Sequence, residues 1–161
     1  MMTQRISSRR NFFVGTASFV ALLLACASLS ATAGEIPAGF TERFAEVNGV
    51  RLHYLIGGQG NPVVLLHGYA ETGHMWLPLM PLLAKNHTVI VPDLRGAGNS
   101  SKPDSGYDKK NMAVDIHDLT SSLGFDRVSI VGHDIGLMVA YAYAAQFPQA
   151  KKFQDYRKMF D

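Results

Sequence analysis

The chain has 161 residues, 47% hydrophobic and 17% charged, with a formal charge of +2 and a single cysteine. The apolar content excludes a disordered chain, the length suits one domain, and one cysteine cannot build a disulfide framework. Residues 1–33 hold three arginines and no acid, which leaves −1 for the remainder and no basic footprint for nucleic acid.

The amino-terminal segment opens with Arg5, Arg9 and Arg10, continues as an uncharged apolar run from Phe12 to Ala31, and ends in Ala31-Thr32-Ala33. That is the layout of a secretory signal peptide with an A-x-A cleavage site over residues 1–33. Ser8-Arg9-Arg10-Asn11-Phe12-Phe13 resembles a twin-arginine export signal, which implies a periplasmic or secreted protein. Two alternatives stay open: an uncleaved anchor, and a lipid anchor on Cys26, since Leu23-Leu24-Ala25-Cys26 passes as a weak lipobox. The membrane is a partner only in those two cases.

After a short linker, 34–39, apolar patterning predicts strands over Thr41–Val47, Arg51–Ile56, Pro62–Leu66, Thr88–Val91 and Val128–Val131. Helices are expected over His74–Ala84, Asn111–Leu123 and Ile135–Gln146, the second with Met112, Ile116, Leu119 and Leu123 as its core stripe. Gly57-Gly58-Gln59-Gly60-Asn61 reads as a hairpin turn between the second and third strands. Alternating strands and helices make the fold class α/β, a mostly parallel sheet with helices on both faces. Residues 149–161, QAKKFQDYRKMFD, read as an atypical charged tail with helical character.

Three motifs lie just past the carboxyl ends of strands, where open α/β sheets place their ligand sites. The first is His67-Gly68-Tyr69. The second is the long turn-rich run Asp93-Leu94-Arg95-Gly96-Ala97-Gly98-Asn99-Ser100-Ser101-Lys102-Pro103. The third is Gly132-His133-Asp134-Ile135-Gly136, a strand-to-helix turn that presents its central residue at an apex. The apical residue is a carboxylate, an anion at neutral pH that attacks a saturated carbon without a base to activate it. The plain structural reading of Asp134 is a helix N-cap. No His spacing, Walker loop or other cofactor signature accompanies these motifs, so no cofactor and no metal are expected.

Together the three motifs resemble the α/β-hydrolase family, and within it the epoxide hydrolases of secreted bacterial type, over about residues 40–148. The resemblance implies Asp134 as nucleophile forming an alkyl-enzyme ester, with the backbone N–H groups of Tyr69 and Ile135 as oxyanion donors. It implies motif or structural roles for His67, Gly68, Gly132, His133, Gly136, Asp93, Arg95, Gly96, Gly98 and Ser100, and a small-molecule substrate, an epoxide or related electrophile. Two departures stand out. Ala70 replaces a proline common in the family. Ile135 and Met138 stand where haloacetate dehalogenases carry two arginines, and Ile135 where haloalkane dehalogenases carry a tryptophan, so a dehalogenase is a weaker reading, as is an esterase.

Members of the family carry their acid and general-base histidine after the nucleophile. All six histidines here lie at or before position 133. The alternative expectation is therefore a truncated, non-catalytic remnant without cap, acid or base, in which Val128–Val131 becomes a sheet edge.

Overall fold

A computed structural model describes residues 34–148 and the backbone of 151–152. Residues 1–33, where a signal segment and the Cys26 anchor were expected, and the rest of the tail lie outside the described residues. The elements are β1 (Phe40–Val47), β2 (Val50–Gly58), β3 (Asn61–Leu66), a 3₁₀ turn (Gly73–Trp76), α1 (Met80–Leu83), β4 (His87–Pro92), α2 (Lys109–Ser122), β5 (Ser129–Gly132), α3 (Ile135–Gln146) and β6 (Lys151–Lys152).

The six strands form one sheet in the order β1-β2-β4-β3-β5-β6. β1, β2 and β4 pair antiparallel, whereas β4-β3, β3-β5 and β5-β6 are parallel. β3 and β4 are covered on both faces, and their apolar runs therefore have no polar alternation. Val64, Leu66 and Ile90 enter a core with α2 and α3, which contribute Met112, Ile116, Leu119, Val139 and Tyr143. Val63, Leu65, Val89 and Val91 enter the opposite core with Met80 and Leu83, flanked by Trp76 and Leu77. Of the α2 stripe, Met112, Ile116 and Leu119 are buried and Leu123 packs partly buried against them.

Four expectations are corrected. The Gly57–Asn61 stretch is not a hairpin, because β4 intervenes between β2 and β3. The tight hairpin joins β1 to β2 through Asn48 and Gly49, both at positive φ (45° and 74°), with Val47 opposite Val50. The helix expected over His74–Ala84 is two short turns, since Pro78 and Pro81 donate no N–H and only the first turn of a helix tolerates that. Nor is β5 an edge: β6 pairs with it at Ser129 and Ile130. This pairing places part of the tail in a strand where helix was expected. It uses main-chain groups alone, so a charged sequence shows no sign of it.

The loop after β4 is braced from both sides. The buried Asp93 carboxylate accepts from Gly73 N (2.8 Å), Asn99 N (2.9 Å) and His53 Nδ1 (2.8 Å). Burial pushes its pKa up, but the amide hydrogen bonds from Gly73 and Asn99, joined by His53, outweigh burial and hold it below the usual carboxylate range. Ser100 Oγ accepts from His53 N and donates to the Asp93 carbonyl. Gly98 leaves room for this carboxylate: a Cβ there would lie 2.0 Å from Asp93 Oδ2. Arg95, also buried, donates through Nε and Nη2 to both oxygens of Asp115 on α2, and Asn48 Nδ2 donates to the same carboxylate at 2.7 Å. Hairpin, loop and helix thus meet at one ion pair.

Asp115→Ala leaves the Arg95 guanidinium buried and unpaired, so we expect a loss of about 3–5 kcal/mol in urea unfolding. Gly136→Ala puts a Cβ 2.4 Å from the Leu66 carbonyl and 2.6 Å from that of His67. Neither is the end of a flexible side chain, and we expect a loss of about 1–3 kcal/mol by the same measurement.

Candidate active site

β5 ends at Gly132 and α3 begins at Ile135, which forces the reversal onto His133 and Asp134. Asp134 takes φ 49° and ψ −117°, a conformation that L-residues avoid at a cost of about 1–3 kcal/mol. Two contacts hold it there. His133 N donates to the Leu66 carbonyl at 3.0 Å, tying the turn to the end of β3, and Gly136 N donates to His133 O at 2.8 Å. The missing side chains at Gly132 and Gly136 let the start of α3 lie directly on the ends of both strands. Asp134 makes no side-chain capping bond to its own helix. It occupies the N-cap position of α3, yet its side chain does not make the bond that would explain a carboxylate there structurally.

The Asp134 carboxylate instead reaches the loop after β3. Its Oδ2 accepts from the Tyr69 backbone N–H at 2.9 Å. That hydrogen bond first, and the Ile135 amide second, hold its pKa below the usual range although the group is exposed. The Ile135 amide acts without reaching full hydrogen-bond geometry, so Tyr69 is the donor already in place. The Tyr69 side chain is 78% exposed and takes no part in that contact.

His67 is buried and spent on structure. Its Nε2 accepts from Leu94 N at 2.9 Å and its Nδ1 lies 2.8 Å from the Gly68 carbonyl, which makes Nδ1 the protonated nitrogen. The imidazole ties the β3 loop to the β4 loop, with both ring nitrogens hydrogen-bonded. Ala70 sits at φ 56°, beyond the reach of a proline ring, so the loop conformation here differs from any that a proline at this position permits.

Glu71 and Lys109 escaped the sequence reading. Glu71 Oε2 accepts from Gly68 N at 2.8 Å and lies 3.2 Å from His133 Nδ1, joining the two loops on either side of Asp134. Nothing in its sequence context marks it except its place three residues after Gly68. Lys109 begins α2 and shares with Tyr69, Glu71 and Ile135 the wall of a cavity of about 540 Å³. Asp93, Arg95 and Ser100 are not gathered at Asp134; they stiffen the loop whose Arg95, Gly96 and Gly98 line the same cavity. Among the described residues no three His, Cys, Asp or Glu side chains group as a metal site.

The site can therefore present an anionic oxygen on a rigid apex, with a backbone donor fixed on its partner oxygen. Residues 61–152 match the alpha/beta hydrolase fold family. The chain is 48% identical over 104 residues to a soluble epoxide hydrolase of Corynebacterium sp. (strain C12), covering 65% of this chain and 36% of that protein. It is 40% identical over 117 residues to a fluoroacetate dehalogenase of Burkholderia sp., covering 70% and 38%. The structure of the epoxide hydrolase CorEH without ligand superposes with a TM-score of 0.68 at 45% identity, over 69% of this chain and 39% of that one. The chain thus spans well under half the length of these relatives. With the family match over more than half its residues, it belongs to the α/β-hydrolase fold family.

Proposed function

We propose that Asp134 is the nucleophile of an epoxide-opening hydrolase. The observation that carries this reading is the strained apex holding a carboxylate whose Oδ2 is bound by the Tyr69 amide and whose Oδ1 makes no hydrogen bond among the described residues. Oδ1 attacks a ring carbon, the C–O bond forms as the ring C–O bond breaks, and the electron pair goes to the ring oxygen, which takes a proton from water. The product is a β-hydroxyalkyl ester that retains every atom of the epoxide. Oδ2 becomes the ester carbonyl oxygen, already against the donor that would stabilise negative charge when water attacks. Similarity to epoxide hydrolases supports the substrate class. Similarity to a fluoroacetate dehalogenase offers a second substrate class, but Ile135 and Met138 supply no positive charge to a substrate carboxylate.

Cleavage of the ester requires a base. Residues 134–161 contain no histidine, and His67 is fully engaged. Asp134 and the Tyr69 amide account for the alkylation half of such a cycle.

Incubating the purified chain with styrene oxide should raise its mass by one epoxide, mapped to Asp134 by peptide digestion. Asp134→Ala should remain unmodified. An unlabelled wild type, or label elsewhere, overturns the nucleophile. Because the pKa is depressed, the attacking anion persists as pH falls. The labelling rate, corrected for hydrolysis in solvent, should stay flat from pH 7 down through the upper carboxylate range and drop only below it.

We also infer export through the twin-arginine route, with residues 1–33 removed. The basic start, uncharged run and Ala31-Thr32-Ala33 support this. Replacing Arg9 and Arg10 together by lysine should trap the precursor in the cytoplasm, visible as the larger species on immunoblots of cell fractions. Unchanged export would favour the general secretory route.

A further inference from the structure

We propose that the cavity beside Asp134 selects electrophiles bearing an anionic substituent, with Lys109 as the counter-charge; this rests on Asp134 being the nucleophile. The cavity of about 540 Å³ is lined by Tyr69 and Ile135, the two residues whose amides face the carboxylate, and by Lys109, Tyr107 and Met112. Arg95 also lines it, but its guanidinium is committed to Asp115. Lys109 is half-buried and has no such commitment. Its ammonium carries three donors, yet finds only the Tyr107 carbonyl at 3.4 Å and Met112 Sδ at 3.5 Å, both long. No carboxylate among the described residues lies within 4.0 Å of it.

The other charged groups around the cavity sharpen the choice. Glu71 is occupied by Gly68 N and faces His133. α3 contains no charged residue, so a cation on this wall must come from α2. The field of Lys109 already reaches Asp134 and helps keep it ionised. A substrate carboxylate would be repelled by Asp134 and by Glu71 on the cavity wall, and Lys109 offsets part of that repulsion while supplying the hydrogen bonds its present partners make poorly. A neutral substrate lacks the fixed charge that would pair with the ammonium.

The test compares labelling of Asp134 by 3-phenylglycidate and by styrene oxide, each rate divided by that of the same epoxide with acetate in solution. In the unmodified chain the glycidate should be favoured by about fivefold, the scale of one partly exposed ion pair. Lys109→Met should bring the ratio close to one, and Lys109→Arg should restore it. A ratio unaltered by Lys109→Met and Lys109→Gln overturns the proposal and leaves the nucleophile standing. A second readout needs no chemistry: phenylacetate, but not phenylacetamide, should shift the amide resonances of Tyr69 and Ile135 saturably, and more weakly in Lys109→Met. If neither epoxide labels Asp134 the nucleophile reading fails, and this titration still decides whether an anion binds at Lys109. Equal shifts with acid and amide would sink it.

Discussion

The structure depends on how closely the start of α3 can approach the ends of β3 and β5. Side chains at Gly132 or Gly136 would lie within about 2.4 Å of main-chain atoms, so the approach exists only because both are glycine. Once the helix is seated there, the reversal between strand and helix is confined to two residues, and Asp134 has to accept positive φ. The strain is local, while its support is spread across the sheet: parallel pairing of Leu66 with Gly132 sets the height of the turn, and the buried faces of β3 and β5 prevent it from relaxing. A carboxylate on a flexible loop would gain nothing from the Tyr69 amide. On this apex the two meet without any rearrangement.

The same economy explains the division of labour among the motif residues. His67, Asp93, Arg95 and Ser100 are nearly fully buried and hydrogen-bonded, and each joins a loop to a neighbouring element. Polar groups this deep are costly unless paired, and pairing them to backbone amides fixes loop positions more firmly than apolar contacts alone would. The loops they hold are the ones that line the cavity. Asp93 illustrates how far that balance is tipped: burial disfavours its charge, and the amide hydrogen bonds still win. The shape of the cavity thus rests on residues whose polar groups are committed to holding its loops.

What could be read in advance follows from the range of the physics involved. β3, β4 and β5 were legible because parallel strands covered on both faces need uninterrupted apolar runs, and α3 because its bounds coincide with the apex and with Gln146. The hairpin at Gly57–Asn61 failed because strand order is a non-local property. Those glycines serve a crossing in which a Cβ at Gly58 or Gly60 would strike the carbonyls of His87 or Asn86. Asn48-Gly49, with the strongest local turn chemistry in the chain, was the better signal. β6 escaped for the opposite reason, since two residues paired through their backbones have no side-chain signature.

Within the candidate site, the turn that carries Asp134 and its contact with the Tyr69 amide were legible because the motif specifies backbone geometry, and geometry of that kind leaves glycines behind. Glu71 and Lys109 were not, because they act through charge at positions set by packing, and a surface lysine pair such as Lys109-Lys110 looks the same whether it faces solvent or a cavity. Only the fold separates the two: Lys109 turns into the wall beside Met112 while Lys110 stays exposed. The backbone geometry of the candidate site is therefore written in its turn residues, and the placement of its charged side chains appears only once α2 has been laid across the sheet.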